Sequence, residues 1–209
     1  TAHLDSGMPL SLATRKLCEA LGVSFKVIPM TDDSVQTKIE TQDNRILNFQ
    51  EYFVRQKFQP EVKRIYYEDI ENAQLCRDAL NEMDEADAII ICPSNPWLSI
   101  FPIINIPGVK EILHRKPVIA VSPIIGQAAV KGPTAKIFSE FGKIPSALEI
   151  ARLYHDLVTK LFIDNKNREE TSAIEELGIK TVVTDIIMSD NIQKVRLARE
   201  IFDYIENEA

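Results

Sequence analysis

Two short apolar runs without alternation, Ala88 to Cys92 and Pro117 to Ser122, mark the middle of the chain. Runs of this length, rich in Ile and Val, suit strands buried on both faces of a parallel sheet. Each is cut off at once by proline: Pro93-Ser94-Asn95-Pro96 follows the first and Ser122-Pro123 closes the second. Proline fixes its own φ and keeps the preceding residue out of the helical region, so both turns are rigid and extended. Between them Asn105 to His114 carries Pro107-Gly108 and then a helical turn or two, which makes strand, crossover helix and strand a βαβ unit. Two parallel strands therefore end at the same edge with the same kind of turn. In open α/β sheets ligands bind just beyond the carboxyl ends of strands, so this edge is the predicted site.

The rest of the pattern is helical or alternating. Ser11 to Leu21 puts Leu12, Leu17, Ala20 and Leu21 on one helical face, with Gly22 as its stop. Alternation of Val23, Phe25 and Val27 predicts a strand over Val23 to Pro29. Lys38 to Thr41 and Ile46 to Arg55 read as paired strands around Gln42-Asp43-Asn44. Strand geometry sets Phe49, Glu51 and Phe53 on one face and Gln50 and Tyr52 on the other, as an edge strand with polar tips or as a ligand face. Further strands are expected at Arg64 to Tyr67, Leu161 to Asp164 and Ile179 to Val183, and helices at Asn72 to Glu82, Thr134 to Phe141, Ser146 to Tyr154, Glu169 to Leu177 and Ile192 to Ile205. With no repeat or low-complexity linker, the order predicts one α/β domain over 1–209, with an antiparallel hairpin appendage at about 35–68.

Composition narrows the function classes. The 209 residues are 45% hydrophobic and 26% charged, with a formal net charge of -7 and a pI near 5.1. No basic cluster stands out, which argues against nucleic acid as a partner. The apolar runs are too short for a bilayer and no signal-peptide pattern opens the chain, so the expectation is a cytoplasmic protein without a membrane partner. Cys18, Cys76 and Cys92 are far apart and read as buried apolar residues. His3, His114 and His155 are equally scattered, which disfavours a His/Cys metal site and leaves open a hard cation held by carboxylates. The chain opens on Thr1 and enters a helix almost at once, a pattern expected of a piece of something longer.

Candidate chemistry clusters on turns. Asp32 and Asp33 sit in Met30 to Ser34, either as a solvated bend or helix cap or as a ligand contact. The loop Pro123 to Lys136 carries Gly126, Gly132, Lys131 and Lys136 into a helix start, an arrangement that suits an anion, although neither GxGxxG nor a Walker loop is present. A mobile loop with a solvated lysine is the alternative. Asp185 follows a strand end, as Ser94 and Ser122 do, and Asp190 reads as an N-cap.

Taken together, MTDDSVQTKIET (Met30 to Thr41), FQEYFVR (Phe49 to Arg55), ADAIIICPSNPWLSIFPI (Ala86 to Ile103), AVSPIIGQAAVKGP (Ala120 to Pro133) and TDIIMSD (Thr184 to Asp190) resemble the 2-phospho-L-lactate transferase family, CofD or FbiA. The resemblance runs from Ser11 onward. It implies a Rossmann-like, three-layer fold with a mainly parallel sheet. It also implies transfer of a 2-phospholactyl or phosphoenolpyruvyl group from a guanosine diphosphate-linked donor to the deazaflavin Fo, with release of GMP and a need for Mg2+, in coenzyme F-420 biosynthesis. Phosphoryl transfer of this kind asks the protein to position two ligands and neutralise charge.

By the same resemblance Asp32, Asp33, Gln50, Glu51 and Tyr52 surround the ligands. Ser94, Asn95, Pro96, Ser99, Ser122 and Pro123 line a crevice, Lys131 and Gly132 meet negative charge, and Asp185 joins them. All are assigned to binding, and no catalytic residue is identified among them. The family normally begins with a strand, a glycine-rich phosphate loop and aspartates expected to hold magnesium, and none of these is among the present residues. The expectation is that the first strands and metal ligands lie before residue 1, and that the chain by itself is inactive or unstable. Phe101 stands where the family usually has glycine, and Gln127-Ala128 replaces a glycine-rich pair. A homodimer is compatible with this reading. Two alternatives remain at this point: a nucleotide-sugar-binding regulator of the same fold family, whose GPGS-type turn differs from Pro93 to Pro96 here, and an inactive piece of the enzyme.

Overall fold

A computed structural model describes residues 2–129 and 132–208. In chain order its helices are α1 (Ala2–Asp5), α2 (Leu10–Ala20), α3 (Arg77–Glu85), α4 (Phe101–Ile104), α5 (Val109–Leu113), α6 (Thr134–Glu140), α7 (Ala147–Leu153), α8 (Thr171–Glu175) and α9 (Asn191–Glu208). Its strands are β1 (Gln36–Thr41), β2 (Ile46–Asn48), β3 (Val62–Glu68), β4 (Ile89–Ile91), β5 (Val118–Val121), β6 (Ile124–Ile125), β7 (Ala128–Ala129), β8 (Lys160–Asp164) and β9 (Lys180–Thr184). Glu51–Arg55 and Pro96–Ile100 are π-helical turns, and Ile70–Asn72 and Asn165–Glu170 are 3-10 turns.

Strands β4, β5, β8 and β9 form a parallel sheet in that order, with Ile90 opposite Ile119 and Val121 opposite Phe162. Side chains alternate across a strand, so Val118, Ala120, Leu161 and Ile163 enter the core roofed by α4 to α8. Ile119, Val121, Phe162 and Val182 enter the opposite core, which Leu197 and Ile201 of α9 cover. The unbroken apolar runs are therefore strands sandwiched between two helical layers, as the α/β expectation required.

The appendage is an antiparallel sheet of order β2-β1-β3, with Ile39 opposite both Leu47 and Ile65. It does not hang free. Ile39, Leu47, Tyr52 and Val62 share a core with Leu98 and Ile137 of the main body. The Tyr67 hydroxyl donates to the Trp97 carbonyl at 2.6 Å, and the Trp97 ring meets Phe138 and Phe141 edge-on at 4.7 and 5.3 Å. Lys136 of α6 donates to the Pro60 carbonyl at 2.8 Å while Glu140 accepts from the Val62 N–H at 3.2 Å.

Several elements differ from expectation. Residues 23–29 are irregular, not a strand: no neighbouring strand pairs with them among the described residues, and Phe25 is 71% exposed. The strand expected over Ile46 to Arg55 stops at Asn48 and becomes the π-helical turn, so Phe49 and Phe53 meet through four-residue spacing. The helix expected at Asn72 starts only at Arg77, because Gln74 and Cys76 are held by the Met30 to Asp33 turn. Cys92 is exposed and Cys18 only half-buried; Cys76 alone is buried as expected. The apolar face of α2 is also uncovered, with no buried residue on that helix. No described helix is long and apolar enough to cross a membrane.

Candidate functional site

At the carboxyl edge of the parallel sheet lies a crevice of about 650 Å³. A groove between α2 and α3 is nearly as large, at about 610 Å³, so size does not distinguish the two. Position does: the crevice opens where β4, β5 and β9 end. Its polar side comes from the turn after β4 (Pro93, Ser94, Asn95, with Ser99 one helical turn on), the turn after β5 (Ser122, Pro123) and the chain entering α6 (Gly132, Pro133, Thr134). Its apolar side comes from Phe49 and Phe53 of the appendage and from Ile186, Ile187 and Met188 beyond β9. Ser189 and Lys194 complete the rim.

The two strand-end turns use their polar groups differently. Asn95 Oδ1 accepts from the Leu98 N–H at 2.9 Å, capping the π-helical turn that Pro96 opens, and its Nδ2 donates to Thr134 Oγ1 at 3.1 Å. One side chain thus ties the β4 turn to the start of α6. Ser122 is wholly buried, and its hydroxyl accepts from the Ile124 N–H at 3.1 Å and donates to the Ile124 carbonyl at 3.2 Å. It shapes the backbone at the crevice floor. The Ser94 and Ser99 hydroxyls line the crevice without a protein partner among the described residues, which leaves them free to bond a ligand. Gly132 has φ +71, a left-handed conformation that disfavours any side chain, and a Cβ there would stand 3.9 Å from the Phe53 ring. Lys131 lies outside the described residues. Among those described, Lys194 brings positive charge to the rim.

Other expected site residues lie elsewhere. Asp32 accepts from the Ser11 N–H at 2.7 Å and the Ser11 hydroxyl at 2.8 Å, pinning the first turn of α2. Asp33 accepts from the Gln74 N–H at 2.8 Å, while Thr31 Oγ1 accepts the Asp33 N–H and donates to the Gln74 carbonyl. Both carboxylates are backbone anchors and neither lines the crevice. Gln50 is exposed and Glu51 begins the π-helical turn, and neither lines it. Tyr52 is fully buried in the appendage core, its hydroxyl without a hydrogen-bond partner among the described residues. Burial, reinforced by the Glu140 charge, pushes its phenol well above the ordinary tyrosine value. The helical turn is the cause: it rotates Tyr52 inward and sends Phe49 and Phe53 toward the crevice, stacked at 5.4 Å and 24°. Asp185 accepts from the Ile187 N–H at 2.9 Å, and its carbonyl takes a bond from Arg196, so it bends the chain that carries the apolar wall without lining it. Asp190 caps α9 as expected, accepting from the Gln193 N–H at 2.9 Å.

Among the described residues no three His, Cys, Asp or Glu side chains converge to hold a metal. Asp32 and Asp33 already accept protein hydrogen bonds, and the crevice lining offers no carboxylate, so these residues do not build a magnesium site. Sequence reasoning missed Thr134, Lys194 and the Ile186–Met188 wall. The usable signal for the wall was an apolar triplet placed after a strand end, where Ile187 and Met188 stay exposed.

The model of the family described as "2-phospho-L-lactate transferase CofD" matches residues 1–200. A 2-phospho-L-lactate transferase of Methanocaldococcus jannaschii is 39% identical over 207 residues, covering 98% of this chain and 66% of that protein. One of Methanococcoides burtonii is 35% identical over 204 residues, again covering 98% and 66%. The chain thus spans about two thirds of the length of these relatives. A crystal structure of a Bacillus halodurans protein aligns with TM-score 0.68 over 96% of this chain and 68% of that one, at 14% identity, a likeness of fold alone. A second structure from the same organism, described as a member of the UPF0052 family, aligns at 0.62 and 16%. With the family match running through both strand-end turns, the appendage and the wall beyond β9, the chain belongs to the CofD family of 2-phospho-L-lactate transferases.

Proposed function

We propose that the protein transfers a 2-phospholactyl or phosphoenolpyruvyl group from a guanosine diphosphate-linked donor to the deazaflavin Fo, with magnesium as cofactor, in coenzyme F-420 biosynthesis. The Fo hydroxyl oxygen forms the new bond to phosphorus, the bond from that phosphorus to GMP breaks, and the hydroxyl proton is lost. The observation that carries this reading is the crevice itself: an aromatic pair, Phe49 and Phe53, shares a strand-end hollow with Ile186, Ile187 and Met188. Aromatic and aliphatic walls of this kind suit a flat ring, which gains contact area and stacking. Free hydroxyls on Ser94 and Ser99 and the Lys194 ammonium suit the polar end of such a ligand. The names of the relatives support the same activity.

In this role the chain's own residues bind and orient, which is most of what phosphoryl transfer requires of a protein. No residue is assigned as a base, and magnesium enters through the family reading, not through a described ligand set. The test is direct. Purified protein given magnesium, Fo and each guanosine diphosphate-linked donor in turn is expected to release GMP in proportion to Fo consumed, read by chromatography. No GMP from either donor would sink the proposal.

A further inference from the structure

Asn167 is 1% exposed, lies on the 3-10 turn after β8, and matched no expectation of function. Its Oδ1 accepts the Gly126 N–H at 2.7 Å, and its Nδ2 donates to the Gly126 carbonyl at 3.0 Å. The N–H and the carbonyl of one residue, Gly126, are thus both held by one side-chain amide, as a paired strand would hold them. The second Nδ2 hydrogen goes to Glu170 Oε1 at 2.6 Å, and Glu170 Oε2 accepts the Leu148 N–H at 2.6 Å at the start of α7. Gly126, at φ +60, is the tip of the β6–β7 hairpin. Among the described residues that hairpin is an excursion from the crevice: the lining stops at Pro123 and resumes at Gly132.

We propose that Asn167 is a positioning residue for the ligand crevice: it clamps the hairpin tip and so sets how the Pro123 and Gly132 rims face each other. This rests on the reading of the crevice as the ligand site. Ile124 seats the first strand of the hairpin in the core, but two residues per strand do not by themselves fix the turn between them, so the tip relies on an outside anchor. A buried amide with all its N–H groups satisfied is such an anchor, because losing it strips the half-buried Gly126 N–H and carbonyl of their partner and leaves Glu170 held by the Leu148 N–H.

The test uses the full chain and three variants: Asn167→Ala, Asn167→Asp, and Asn167→Asp combined with Glu170→Gln. Asn167→Asp keeps the acceptor for the Gly126 N–H but loses both donated bonds and sets two carboxylates together. Adding Glu170→Gln returns an N–H to that pair. In Asn167→Ala the Gly126 amide is expected to exchange about tenfold faster or more; in both single variants the amide resonances of Gly132 and Thr134 are expected to shift and the dissociation constant for Fo to rise about tenfold. The double variant is expected to recover most of the loss seen with Asn167→Asp, which a general loosening of the fold would not do. Unshifted Gly132 and Thr134 resonances overturn the proposal whatever Gly126 does. Shifted resonances with unchanged Fo affinity overturn it as well. If the unsubstituted protein binds no Fo, the functional reading fails, and the resonances alone decide the clamp.

Discussion

The two sides of the crevice are built on opposite terms. On the side of the strand-end turns, the side chains that look most like ligand contacts in sequence are committed to the protein: Asn95 caps a turn and reaches Thr134, and Ser122 is closed in by Ile124. On the facing side, Phe49, Phe53, Ile187 and Met188 hold apolar surface at the opening. The difference teaches that polar residues here fix shape, whereas the unsatisfied surface is mainly aromatic and aliphatic. A ligand therefore gains affinity from the apolar side and orientation from the few free polar groups.

The largest test of that contrast is Phe53→Ala. Phe53 stacks on Phe49 and also touches Phe58 at 5.7 Å, so its loss removes half of the aromatic pair. Fo affinity is expected to fall by on the order of 1–3 kcal/mol, as for loss of a stacking ring, with stability lower by about 2 kcal/mol. Fluorescence titration reads the first and chemical denaturation the second. Unchanged affinity would place the ligand elsewhere.

Next comes the pair Asn95→Ala and Ser94→Ala. Neighbours in sequence, they are expected to separate: Asn95→Ala costs about 1–2 kcal/mol of stability through the lost cap and tie. Ser94→Ala stays within about 0.5 kcal/mol of the unsubstituted protein but weakens ligand binding by about 1 kcal/mol. The reverse pattern would show that Asn95, not Ser94, faces the ligand. Smallest is Tyr52→Phe, which deletes a buried hydroxyl that has no partner among the described residues. A gain of about 1 kcal/mol, or about 2–4 °C in melting temperature, is expected with ligand affinity unchanged. The sign with pH follows. Because burial, and further Glu140, holds the folded phenol above the ordinary tyrosine value, ionisation has no effect on stability below that value, and above it the unfolded chain ionises first, so stability falls until pH reaches the folded value. Alkaline melting curves of Tyr52→Phe should therefore lack this component.

Much of the fold was legible from short-range pattern. β4 and β5 followed from apolar runs ended by proline, and α9 from helical periodicity with its Asp190 cap. Misreadings arose where one pattern serves two geometries. The alternation Val23, Phe25, Val27 has no pairing strand beside it among the described residues. Phe49 and Phe53 read equally as same-face strand residues at i, i+4 and as neighbours on a helical turn, and packing on Leu98 and Ile137 decided for the turn. That decision moved Tyr52 from a candidate contact to a core residue.

The sequence by itself determined the class of sheet, the edge where its strands end and the turns placed there, because burial on both faces and proline geometry are local demands. Only the tertiary structure decided which polar side chains at that edge remain free. Asn95 reaches across the chain to Thr134, as Asp33 does to Gln74 and Asn167 to Gly126 elsewhere in the fold, and no local pattern encodes a partner some forty residues away.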